Sequence, residues 1–79
     1  MTCDYIKALE FVRQGNWDAA HKTVQPFSDE LSCWIHAYLH RVEGDPAHAV
    51  EWYQRGGMDM PDNTLEEEFA RLYRIVQSI

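Results

Sequence analysis

In the segment from Leu31 to Val42, Cys33, His36 and His40 fall at relative positions i, i+3 and i+7, which on a helix sets one thiol and two imidazoles along a single stripe. Thiolate and neutral imidazole are ligands that borderline transition metals take readily, and His21 or His48 from neighbouring segments can supply a further one. One expectation is therefore a site for zinc or another transition metal, held by Cys33, His36, His40 and His21. The competing expectation is that these histidines brace the fold and the protein carries no cofactor. It rests on the absence of a His-Glu-X-X-His motif and of any Asp or Glu within the cluster.

Nucleophilic catalysis fits less well. Cys33 beside an imidazole has the residue types of a nucleophile and base, but that chemistry also needs an oxyanion site and a cleft, for which five short helices leave little room. No catalytic residue is assigned, and the chain reads as a non-enzyme. The run Glu66-Glu67-Glu68 fans around a helix and reads as a solvated first turn that complements the helix dipole.

The elements that would hold the stripe follow from punctuation and periodicity. Tyr5, Leu9 and Val12 mark a first helix beginning near Cys3 and ending at Gly15. Asn16 caps a short second helix that carries Ala20 and Val24 inward and stops before Pro26. Ser28 is the expected cap of a central third helix whose Leu31, Trp34, Ile35, Tyr38, Leu39 and Val42 repeat without a gap. Gly44, Asp45 and Pro46 punctuate the start of a fourth, which ends at Gly56 and Gly57. Thr64 and Glu67 form a capping box for a fifth, with an apolar stripe of Leu65, Phe69, Leu72, Val76 and Ile79 and a Glu67–Arg71 pair on its wet side.

The expected fold is all-α: one domain over 1–79, made of two antiparallel helical hairpins, about 3–25 and 28–56, plus a C-terminal capping helix over about 64–78. With 79 residues the chain buries only about 60% of its unfolded surface. Its 46% hydrophobic content, with three Trp, four Tyr and three Phe, is nevertheless too rich in anchors for a disordered chain. A net charge of −6 argues against nucleic acid as a partner, because phosphate binding relies on clustered Lys and Arg. No apolar run approaches the roughly 20 residues that span a bilayer, and Met1 to Arg13 lacks the pattern of a signal peptide. A cytoplasmic protein without membrane association is expected, with Cys3 and Cys33 both reduced.

The chain also repeats itself. At an offset of 29 residues Ala8 overlies Ala37, Gly15 overlies Gly44, Asn16 overlies Asp45, Ala20 overlies Ala49 and Val24 overlies Tyr53. Small residues suit the point where paired helices cross, and the glycine and cap suit a tight turn. This pattern resembles the tetratricopeptide repeat, with Leu9 to Ala20 similar to its helix-turn-helix core. The chain departs from that family in its period, which is about 34 residues there, in having two units, and in lacking a proline after the second hairpin. A closer resemblance is to a set of small uncharacterised bacterial proteins, carried by Ala20-His21, Val24-Gln25, Trp34 to Arg41, Glu43-Gly44-Asp45 and Trp52-Tyr53.

In tetratricopeptide stacks the first helix of each hairpin lines the concave side. The resemblance thus implies a groove of Tyr5, Leu9, Arg13, Trp34, Tyr38 and Arg41 that takes a protein or peptide partner, or a second copy of the chain. Aromatic and arginine side chains dominate interface energetics. The alternative is that the fifth helix fills the groove.

Overall fold

The computed structural model describes residues 2–79, and these fold as five helices with no strand: α1 (Tyr5–Arg13), α2 (Trp17–Val24), α3 (Glu30–Val42), α4 (Pro46–Arg55) and α5 (Leu65–Gln77). Each helix opens on a side chain that accepts a backbone N–H in its first turn: Asp4, Asn16, Asp29, Asp45 and Thr64 in turn. For α3 the cap is Asp29 rather than the expected Ser28. Its carboxylate accepts both the amide and the hydroxyl of Ser32, and two charged oxygens outbid one hydroxyl for these donors. The capping box of Thr64 and Glu67 is present as read.

The repeat has a structural basis in its turns. Gly15 and Gly44 both adopt a left-handed φ, of 75° and 82°, which a side chain would disfavour. In each turn the glycine amide donates back to the carbonyl three residues earlier, and the following residue, Asn16 or Asp45, donates to the carbonyl five residues earlier. That residue then caps the next helix. One glycine and one short polar side chain thus end a helix, reverse the chain and start another.

α1 packs on α2 and α3 on α4, while α3 also touches α1, α2 and α5. Ala8, Ala20, Ala37 and Ala49 are all fully buried, as the repeat required of crossing points. Leu9, Val24, Ile35, Leu39 and Leu72 complete the main core, and Tyr53 closes a smaller one between α3 and α4. Val42, Leu65 and Ile79, expected on inward stripes, are exposed: Val42 is the last residue of α3, Leu65 the first of α5, and Ile79 lies two residues past the end of α5.

α5 departs most from the sequence reading. Arg71 pairs with Glu68, not Glu67, which the capping box already engages. Glu68 is fully buried rather than solvated. Its two oxygens accept from the Tyr53 hydroxyl at 2.7 Å, the Asn63 amide at 3.0 Å, and Arg71 Nε and Nη2 at 2.7 and 2.9 Å. Arg41 extends the network to the side chain and backbone of Asn63. Burial alone would raise the Glu68 pKa, but the bonds from Arg71, Tyr53 and Asn63 outweigh it and hold the carboxyl below its ordinary range.

Because that pKa is lowered on folding, the stability Glu68 contributes is present above the ordinary carboxylate range and drains away as pH falls through it. Removing one partner of a buried, hydrogen-bonded pair strands the others, so Glu68→Ala is expected to cost about 3–5 kcal/mol in urea unfolding near neutral pH. A cost under about 1 kcal/mol would mean that water replaces the carboxylate.

Candidate metal centre

α3 lies between α2 and α4, so the stripe bearing His36 and His40 faces other helices, not solvent. α2 brings His21 to it and α4 brings Trp52 and His48. Trp17, at the start of α2, donates its indole N–H to the Leu39 carbonyl at 2.7 Å, which ties α2 to α3 beside His40. His21 stacks on Trp17 with centroids 4.7 Å apart, and His36 stacks on Trp52 at 3.8 Å. The Arg55 guanidinium also lies over the Trp52 ring, 4.3 Å from its centroid.

Between these indoles the three imidazoles converge. His36 and His40 are nearly parallel at 5.1 Å, and His21 meets both edge-on, at 4.6 and 5.9 Å. Each can offer a ring nitrogen such that the three lie within 4.8 Å of one another. A tetrahedral ion with metal–nitrogen bonds of about 2.0–2.1 Å holds its ligands roughly 3.4 Å apart, a separation that small side-chain rotations reach. A second group, His40, Asp45 and His48, meets the same 4.8 Å condition and shares His40 with the first.

The electrostatics favour neutral imidazole, the ligand form. His36 is 2% exposed, and its Nδ1 is the one buried side-chain nitrogen or oxygen without a hydrogen-bond partner among the described residues. Burial, reinforced by His21, His40 and Arg55, pushes its pKa down to about 3. Burial and then His40 also lower His21, against the pull of Glu43 and Asp18. At the rim, His40 Nδ1 lies 2.9 Å from the Glu43 carboxylate and 3.9 Å from that of Asp45. The hydrogen bond between His48 and Asp45 raises the histidine pKa and lowers that of the carboxyl.

Of the metal ligands read from sequence, the fold joins His21, His36 and His40 and leaves out Cys33. Helical side chains lean toward the N-terminus, and the Cys33 thiol donates to the Ser28 carbonyl at 3.6 Å in the turn before it. Glu43 and Asp45 join the histidines instead, correcting the expectation that no carboxylate lies there. The i, i+3 spacing of Glu43 from His40 was the available signal, and the reversal at Gly44 returns Asp45 to the same place.

α5 packs on α1 and α3, on the side where the groove was expected. Leu9 is fully buried, and Tyr38 is buried beside Phe69. Tyr5 donates to Asp29, Trp34 to the Gly56 carbonyl, and Arg41 to Asn63. Arg13 lies over Phe69 and Tyr73. A cleft of about 380 Å³ lined by Val12, Arg13, Tyr38, Leu65, Glu66 and Phe69 stays open, and Tyr5 lines another with Val76 and Ile79. Among the described residues no helix is long and apolar enough to cross a membrane. No family model, curated protein or solved structure matches the chain.

The His36 environment has a measurable consequence in protein with no metal added. Its pKa is about 3 folded and 6.5 in the unfolded chain, so between these values unfolding takes up a proton that the folded state refuses. Stability should therefore fall as pH is lowered from 6.5, by up to about 1.4 kcal/mol per pH unit for this proton. Carboxylates such as Glu68 act only lower down, so the window from about pH 6.5 to 4.5 belongs to the histidines, where His21, its pKa also lowered by burial, adds to the His36 slope. Thermal melts across that window should flatten in His36→Phe, which keeps a ring against Trp52; an unchanged slope would assign the effect elsewhere.

Proposed function

We propose that this chain is a small metal-binding protein that holds zinc, nickel or another borderline transition ion through His21, His36 and His40. The observation that carries this reading is the buried, unpartnered Nδ1 of His36 beside two convergent imidazoles. A buried acceptor or donor left unmade costs about 1–3 kcal/mol, and a coordinated ion would remove that cost. Supporting it are the neutral state of His36 and the carboxylate of Glu43 on His40. A metal-ligating histidine ordinarily gives its other N–H to such a group, which fixes its tautomer and orientation. Three imidazoles also leave a fourth position for water or a ligand.

At free zinc about 100-fold above the dissociation constant, the folded state gains about 2.7 kcal/mol, which for a domain of this size raises Tm by roughly 10–20 °C. That rise should vanish in His21→Gln and in His36→Gln and reverse with chelator in wild type. A melt that zinc leaves unchanged would reject the reading.

A second reading, association with another copy of this chain, is favoured by the open cleft. It pairs an apolar floor with Arg13 and Glu66, opposite charges on one patch, as a self-complementary two-fold interface needs. Arg13→Glu should then abolish a concentration-dependent dimer in sedimentation equilibrium; a wild-type monomer throughout would exclude it.

A further inference from the structure

We infer that His40 serves two metal positions in turn, a rim position with Asp45 and His48 and the interior position with His21 and His36, so that the rim loads the interior. This rests on the metal-binding reading above and adds the route by which the ion arrives. Both groups satisfy the same convergence of donor atoms, and His40 belongs to each. Exposure falls along the line: the side chains of His48, Asp45 and His40 are 61%, 35% and 14% exposed, and His36 is 2% exposed. His48 and Asp45 are the most exposed of these donors, and His40 stands between them and the buried His36, with the half-buried His21 as the third interior ligand.

The two nitrogens of His40 account for the transfer. Nδ1 faces Glu43 and Asp45, whereas Nε2 lies across the ring. A neutral imidazole has one proton and one lone pair. An ion held at the rim through Nδ1 leaves the proton on Nε2. When the ion moves to Nε2, the Nε2 proton leaves to solvent and Nδ1 takes one from solvent, which it donates in a hydrogen bond to Glu43, already 2.9 Å away. No bond to carbon forms or breaks and no electron moves. Simultaneous occupation would require imidazolate, so one ion per chain is expected at neutral pH.

The indoles report arrival. Trp52 is stacked on His36 alone of the interior histidines, so the fluorescence component it contributes is quenched when paramagnetic nickel(II) reaches the interior, whereas Trp17 also lies 6.2 Å from the shared His40. The test mixes nickel(II) sulfate with the full chain in stopped flow and titrates it by calorimetry, for wild type and for Asp45→Asn/His48→Ala. Asparagine still caps α4, and position 48 is solvent-exposed, so the fold is retained, with a melt as the check. Wild type should bind one ion. The double variant should bind one ion with affinity within about threefold of wild type, while quenching slows about tenfold or more. Loading and release share the rim, so both slow together and the affinity is preserved. An unchanged quenching rate, two ions in wild type, or an affinity that falls in step with the rate would each overturn the relay while leaving interior binding in place. If wild type binds no nickel, the metal-binding reading fails and the relay with it.

Discussion

α3 touches all four other helices, and the rest of the structure follows from burying it. A helix enclosed on every side is expected to be apolar all round. This one is apolar toward α1 and α5, through Leu31, Ile35, Tyr38 and Leu39, and carries Ala37 where α4 crosses. Toward α2 and the start of α4 it presents His36 and His40. Flat rings satisfy the packing there by stacking on Trp17 and Trp52, but stacking does nothing for ring nitrogens. The fold therefore encloses imidazoles in a slot shaped for aromatics and leaves the coordination of one of them open.

A second polar group is enclosed in the opposite manner. Glu68 is as buried as any residue in the chain, yet four donors from Tyr53, Asn63 and Arg71 satisfy it. It joins α5 to α4 and to the loop before it, and through Asn63 and Arg41 to α3. The contrast between the two sites is informative. The same small protein that saturates a buried carboxylate leaves a buried imidazole nitrogen unpartnered.

The repeat clarifies why the histidines lie where they do. At its offset of 29 residues His36 corresponds to Lys7, His40 to Phe11 and His21 to Val50, whereas the turn glycines, caps and crossing alanines coincide. The hairpin geometry therefore needs none of the histidines. They occupy the seam between the second helix of the first hairpin and the first helix of the second, the one place where the two units meet through side chains that the repeat does not dictate.

Much of this was legible in the residues. Helix number and order followed from glycine, proline and capping side chains, because those control the local backbone whatever surrounds it. The four crossing alanines followed from the repeat, since close helix approach admits little else. Local pattern could not tell which of three adjacent glutamates turns inward, because Glu66, Glu67 and Glu68 differ only in angle around α5; Tyr53, Asn63 and Arg71, distant in sequence, select Glu68. It placed Cys33 on the histidine stripe but not the direction of its thiol, and it left open whether the groove residues face a partner or the fifth helix. Sequence by itself determined the helices and their turns, which are set within a few bonds. Only the tertiary structure decided the companions of His36 and His40, because those arrive from other helices and their distances exist only once α3 is enclosed.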